Sequence, residues 1–413
     1  TMLIIVNISI LIIALGIAVP IAVLWLECSA ALLPDRWEKW DEGVDSHRVA
    51  VLIPAHNEAA DIRATLLTVM PQLTERDRVV VIADNCTDQT GAIARASGAL
   101  VIERINPNLR GKGYALDYAL RFIKSDPPDV VVVIDADCIV HPGTIDRIVR
   151  QAMALKRPVQ ATYLMKQKDN PGLKDSISML AIKVKNLVRF RGLQRLGCPV
   201  LLTGSGMAFP WAAISQVCLA GSKTADDMQL AVDLSIAGYP PAFAEEAEIT
   251  GRLMKQQAAK SQRTRWEHGH LEIILTQVPL LLIESVRQRR FDLLAIALDL
   301  CIPPLSLLVV IWIAAIGGSL FAGLLEGYWI PTNLLALEGV LIFISIVGSW
   351  AKFGYEEFPA LTLLAVPFYI LWKIPLYLAF LIQPQTTWSR TERDLVEPPE
   401  FRLYKLLNRG IQR

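Results

Sequence analysis

Apolar stretches long enough to cross a bilayer lie at both ends of this chain, and a charged segment of ordinary composition lies between them. A membrane-spanning helix needs about 20 apolar residues. Residues 2–26 meet that length, as do 293–320, 333–350 and 360–382. This pattern predicts a soluble domain held between transmembrane helices. Residues 2–26 read as a retained helix and not a leader, because the stretch is long, lacks a basic start and shows no clear small-residue cleavage site. Residues 270–285 are shorter, with Pro279 inside and Glu272 and Glu284 near the ends, and read as an interfacial helix lying on the bilayer.

The expected layout is therefore a transmembrane helix over 1–27, a polar linker over 28–47 and a soluble domain over 48–268. An interfacial helix over 269–290, transmembrane helices over 291–384 and a basic tail over 385–413 follow. One early span plus three later ones sets both termini on one side. Yet Arg390, Arg393, Arg402, Lys405, Arg409 and Arg413 favour a cytosolic tail, and Pro303, Pro304, Pro367 and Pro375 permit broken helices, so the span count stays open.

Lys and Arg total 41 against 40 Asp and Glu, which gives no general pull toward nucleic acid. The six cysteines show no CxxC pair and no zinc spacing with histidine. Cys86 and Cys138 fall in polar loops, which fits a reducing compartment, the cytosol.

The middle segment alternates short β-branched runs (49–53, 79–83, 100–104, 130–134) with amphipathic stretches (59–70, 89–97, 113–123). Runs apolar on both faces suit parallel strands covered by helices. The fold class expected is α/β, a Rossmann-like doubly wound sheet with flanking transmembrane and interfacial helices. Ligands bind such sheets beyond the carboxyl ends of the strands. The polar clusters His56-Asn57-Glu58, Asp84-Asn85 and Asp135-Ala136-Asp137 lie at those ends.

Asp135 and Asp137 follow an apolar strand that holds them rigidly, and together they can bind a hard divalent cation, Mg2+ or Mn2+. Such an ion neutralises charge on a departing diphosphate. Asp84 could accept hydrogen bonds from a nucleobase or ribose, leaving Thr87 or Asp88 to cap the next helix. Lys112, between Gly111 and Gly113 at a helix start, offers charge and close backbone approach to phosphate, without the spacing of a P-loop or dinucleotide fingerprint. Asp226 and Asp227 open another helix, and Asp227 can serve as general base. Arg265 can pair with a diphosphate, and Trp266 offers a flat face to a sugar ring.

In chain order, Pro54-Ala55-His56-Asn57-Glu58, Asp84-Asn85-Cys86-Thr87-Asp88, Gly111-Lys112-Gly113, Asp135-Ala136-Asp137, Asp226-Asp227 and Gln262-x-x-Arg265-Trp266 resemble family 2 glycosyltransferases. That group contains the cellulose, chitin and hyaluronan synthases. The resemblance covers about residues 49–270 and the membrane layout. It implies a GT-A fold, a nucleotide-diphosphate sugar donor (mostly UDP), Mg2+ or Mn2+, and inversion at the anomeric carbon. It implies donor binding by Pro54, Glu58, Asp84, Lys112, Asp135, Gly204 and Ser205, with Asp84 near the uracil and residues 203–206 closing on the sugar. Asp135 and Asp137 would hold the metal and Asp227 would be the base. Asp226, Gln262, Arg265 and Trp266 would line the acceptor and diphosphate sites. Two features depart from the family: Asp226 stands where Glu is usual, and fewer membrane segments follow the catalytic domain.

The resemblance makes the partners a UDP-sugar, membrane lipids and either a growing glycan or a lipid-linked acceptor. Processive synthesis of a β-linked glycan coupled to membrane passage is the first expectation, and single addition to a lipid is the alternative. A catalytically dead binding module is disfavoured because every catalytic carboxylate is present. The expected location is a bacterial plasma membrane with the catalytic domain in the cytosol.

Several other residues carry expectations. Residues 174–195 read as a basic amphipathic helix, either lying on anionic lipid or flanking the acceptor cleft. His268 and His270 read as satisfied polar residues near the headgroups, and His141 as bound to a loop. Asp299, Glu338 and Lys373 fall in apolar spans, where Lys373 is expected to pair with one of the two acids.

Overall fold

A computed structural model of the chain describes residues 2–34, 47–166, 172–221, 225–251 and 256–382. The tail over 385–413 and most of the 28–47 linker lie outside these residues.

The four expected parallel strands form one half of an eight-stranded sheet. They are β1 (Val49–Ala55), β2 (Arg78–Asp84), β3 (Leu100–Arg104) and β4 (Val130–Val133). Four further strands complete it: β5 (Ile139–Val140), β6 (Val159–Met165), β7 (Met207–Pro210) and β8 (Ala242–Gly251). The spatial order is β3-β2-β1-β4-β7-β6-β8-β5. Strands β3, β2, β1 and β4 run parallel, whereas β7 is antiparallel to both β4 and β6. The sheet is thus doubly wound on one side and mixed on the other.

The continuous apolar runs follow from burial on both faces. Leu52, Ile82 and Val133 meet Leu116 and Ala119 of the Lys112–Ile123 helix on one face. Ile53, Val81 and Val132 meet Ile62, Leu66 and Ile148 on the other. Each such side chain, taken fully from water, contributes about 1.5–3 kcal/mol. Strand ends therefore stay in register, and the loops beyond them have a rigid base.

Four helices among the described residues contain stretches long and apolar enough to cross a membrane: Asn7–Ala31, Thr264–Gln288, Leu305–Leu325 and Ile330–Phe353. The N-terminal helix, Met2–Ala31, buries Ile17, Ile21 and Leu24 against Leu335 and Ile342. The 268/269 boundary needs correction, because one helix runs without interruption from Gln256 to Gln288. Its early turns carry Arg265, Trp266, Glu267 and His270, which face an internal cavity. Polar residues turned inward hide a helix from an apolar count.

Two spans also break where proline removes a backbone donor. The 293–320 stretch divides into Phe291–Leu300 and Leu305–Glu326 around Pro303 and Pro304. The 360–382 stretch divides into Leu361–Leu364 and Val366–Ile382, and its apolar helix, Val366–Phe380, is shorter than a span.

The expected pairing of intramembrane charges is corrected as well. Lys373 pairs with Glu267, not with Asp299 or Glu338. Asp299 instead accepts from Arg189, whose Nε also donates to Glu27 Oε2 at 2.7 Å. This buried cluster ties the N-terminal helix to the π-helical turn Val184–Arg189 and to the Phe291–Leu300 helix. Glu338 is 2% exposed and neither of its carboxylate oxygens has a hydrogen-bond partner among the described residues. The 174–195 segment flanks the cavity, its Lys183, Arg189 and Arg191 buried in ion pairs. The same region brings two backbones together: a Cβ at Gly192 would lie 1.9 Å from the Glu27 carbonyl oxygen. Gly192→Ala must push the N-terminal helix off the domain, at a cost of about 1–3 kcal/mol, and should lower the unfolding midpoint in detergent. An unchanged midpoint would show that this contact is loose.

Candidate active site

The loops after β1, β2 and β4 and the start of the Asp226–Ile236 helix build the site. After β1, Asn57 adopts φ 57°, a left-handed turn that asparagine tolerates. Its Oδ1 accepts from Thr87 N at 2.7 Å, and Glu58 N donates to Thr90 Oγ1 at 2.8 Å. His56 Nδ1 lies 2.7 Å from the Asp84 carbonyl oxygen. The first two strand-end loops are thereby knitted together. Pro54 is half-buried within β1, and Glu58 is buried behind the loop. Asp88 accepts from Thr90 N at 3.0 Å and Ala59 N at 3.1 Å, so it serves the helix start as expected and leaves Asp84 for another task.

Asp84 does not stand free. Its Oδ1 accepts from Arg104 at 2.6 Å, and each side chain is only 9% exposed. The two residues are register partners at the ends of β2 and β3. Arg104 also donates to the Leu109 carbonyl at 2.8 Å and sits over the Tyr114 ring. Asp84 is thus held in place by Arg104 at the end of the sheet. An arginine closing an apolar run beside a strand-end acid was the available signal.

Lys112, Asp135 and Asp227 converge. A Cβ built on Gly204 would lie 3.5 Å from Asp227 Oδ2, 3.7 Å from Lys112 Nζ and 3.9 Å from Asp135 Oδ2. Gly204 has φ +93°, a left-handed conformation that glycine takes without strain. Lys112 Nζ donates to Asp135 Oδ1 and to the Gly204 carbonyl. Ser205 is fully buried, and its hydroxyl accepts from Asp135 N at 3.1 Å. It therefore holds the acid loop in place. Gly113 makes room for the chain at 219–221, since its Cβ would sit 2.4 Å from the Leu219 carbonyl oxygen.

Asp135, Asp137 and Cys138 present ligand atoms within 4.8 Å of one another. Burial, then the Asp137 and Asp135 carboxylates, raise the Cys138 thiol well above its usual range, and its soft sulfur is poorly matched to a hard cation. Two hard carboxylates remain, a set suited to Mg2+ or Mn2+. Burial lowers the Lys112 ammonium, but Asp135 and then Asp227 outweigh it and raise it above its usual value. Burial also raises Asp135, Lys112 opposes this, and Asp137 adds to the rise. Three carboxylates against one ammonium leave excess negative charge, which a divalent cation would offset. His141 takes no part, because its Nε2 lies 2.8 Å from Thr250 Oγ1.

These groups open into a cavity of about 710 Å3 between the sheet and the membrane helices. Asp226, Asp227, Arg265 and Trp266 line it beside Lys112 and Asp135. Gln262 lies on the same helix as Arg265, but its side chain is outside the described residues. His268 Nε2 reaches the Leu376 carbonyl at 3.1 Å. His270, also expected to be satisfied, is buried with Nε2 unpartnered, because it faces the cavity and not the headgroups.

The family model described as "Glycosyltransferase like family 2" matches residues 47–269, more than half of the chain. "Probable glycosyltransferase YdaM" of Bacillus subtilis is 36% identical over 108 residues, covering 24% of this chain and 25% of that protein. A low-salt glycan biosynthesis hexosyltransferase of Haloferax volcanii is 36% identical over 98 residues, covering 19% and 22%. The chain thus aligns with less than half the length of the curated relatives it matches. The mannosyltransferase PcManGT from Pyrobaculum calidifontis, solved with GDP-Man and Mn2+, superposes with a TM-score of 0.53 at 18% identity. That alignment covers 84% of this chain and all of the other, and it shows the GT-A fold.

Proposed function

This chain belongs to the glycosyltransferase-like family 2, and from that premise we propose that it moves a sugar from a UDP-sugar to a hydroxyl of a lipid-linked acceptor, inverting the anomeric carbon. The observation that carries this reading is the meeting of Asp227, Lys112 and Asp135 around Gly204, inside a cavity that continues between apolar helices.

The chemistry is a single displacement. The acceptor hydroxyl attacks the anomeric carbon from the face opposite the nucleotide, and the bond from that carbon to the diphosphate oxygen breaks. The hydroxyl proton passes to Asp227, whose Oδ1 is held by Met228 N at 3.0 Å. One attack from the opposite face inverts the centre. A divalent cation held by Asp135 and Asp137 would supply charge neutralisation for the leaving diphosphate, as Mn2+ accompanies GDP-Man in the mannosyltransferase. Lys112 and Arg265 add fixed positive charge to the same wall, and Trp266 offers an apolar face to a sugar ring. Asp84, held by Arg104, forms the nucleobase end.

A lipid-linked acceptor is favoured over an extruded polymer because the cavity lining on the helix side is mostly apolar, including Val309, Ile346 and Ile370. A polysaccharide hydroxyl array needs polar partners along its path. The catalytic domain faces the cytosol in this reading, and the six cysteines are free thiols, which suits that side. The test uses the purified full chain with radiolabelled UDP-sugars, GDP-sugars and Mn2+ or Mg2+. A single labelled product that partitions into organic solvent is expected. A ladder of water-soluble oligomers would replace this reading with processive synthesis.

A further inference from the structure

The cavity holds a second group of charges that the displacement does not use. Lys185 lines it from the π-helical turn and has no hydrogen-bond or ion-pair partner among the described residues. Its surroundings act on it in two ways: burial pulls the ammonium below its usual range, and the Asp227 carboxylate opposes that. His270 is 6% exposed and lines the same space with its unpartnered Nε2. Arg189 lines it too, anchored by Glu27 and Asp299. A half-buried cation with no partner among the described residues, beside a buried ring nitrogen whose Nε2 has none there either, is costly unless something else completes them.

Apolar side chains continue from this group on the membrane side, with Val309, Ile346 and Ile370 in the same wall. We propose that Lys185, His270 and Arg189 form a subsite for a phosphate or diphosphate that joins the acceptor's hydroxyl-bearing head to its apolar tail. The proposal rests on the lipid-linked reading above and narrows it to an anionic amphiphile. The head hydroxyl then reaches Asp227, the phosphate meets the cations, and the tail lies along the apolar wall. The donor diphosphate is assigned to Lys112 and the Asp135–Asp137 pair, and the second anion to Lys185, His270 and Arg189.

The test is equilibrium binding to the full chain in neutral detergent, without turnover. The probes are radiolabelled decyl phosphate, inorganic phosphate, decyl glucoside and UDP with Mn2+. Decyl phosphate is expected to bind saturably and more tightly than either decyl glucoside or inorganic phosphate. Lys185→Gln should weaken decyl phosphate by about ten-fold or more and leave decyl glucoside and UDP unchanged. Lys185→Arg, which keeps the charge, should retain most of the binding and shows that the fold tolerates change there. Equal binding of decyl phosphate by the wild type and Lys185→Gln overturns the proposal. So does a parallel loss of UDP, which would assign Lys185 to the donor, or inorganic phosphate binding as tightly as the amphiphile. Binding that follows the expected pattern in a protein that transfers no sugar would sink the proposed reaction and leave the subsite standing.

Discussion

Asp227→Asn is expected to lower transfer by about 10²–10⁴-fold while leaving UDP affinity unchanged. The substitution keeps the shape and the hydrogen bond that orients the side chain, since an amide oxygen can still accept from Met228 N. What it removes is a site for the hydroxyl proton. Asp227 Oδ2, Lys112 Nζ and Asp135 Oδ2 all approach Gly204, which in the proposed reaction would set the base where acceptor and donor meet. The sole change in net charge favours an incoming diphosphate slightly, which makes donor binding a clean control. Steady-state transfer and UDP binding, measured on the same preparation, decide the matter. Turnover within a few-fold of wild type would remove Asp227 from the role of base. Loss of UDP binding would instead make it part of the donor seat.

The parallel half of the sheet was legible because burial on both faces leaves an uninterrupted apolar run at each strand. Val130–Val133 shows this most plainly, with all four residues buried. The acids after the strands were legible for the same reason, since a polar residue that ends such a run must leave the sheet at its carboxyl edge. The mixed half was not legible. β7 is four residues long and pairs with β4 some 75 positions earlier, a contact without local trace. The start of the Gln256–Gln288 helix is hidden from an apolar pattern because its inward face is polar, the reverse of a surface helix. The Lys373 error has the same origin: its partner Glu267 lies on that helix, in turns assigned to the soluble domain. Lys185 was visible as a basic residue among apolar ones, but its lack of a partner among the described residues is a property of three dimensions only.

Chelation of divalent ions is expected to lower transfer by about 10²–10³-fold, with Mn2+ or Mg2+ restoring it. The argument is electrostatic. Asp135 and Asp227 meet Lys112 around Gly204, Asp137 presents a ligand atom within 4.8 Å of that of Asp135, and Lys112 is already engaged by Asp135. A nucleotide diphosphate adds further negative charge to a site whose own charge is negative. Without a cation, donor binding must oppose that repulsion, and the departing diphosphate gains no counter-charge as its bond breaks. Asp137→Asn should therefore raise the Mn2+ concentration needed for half-maximal transfer by about ten-fold or more, because it removes one of two hard ligands. Cys138 does not compensate, as its soft sulfur is a poor match for these hard ions. The Mn2+ titration must be read on the folded protein, confirmed by an unchanged unfolding midpoint in the absence of metal. Full turnover in excess chelator would show that Lys112 and Arg265 alone neutralise the leaving group, and the acid pair would then be a structural turn.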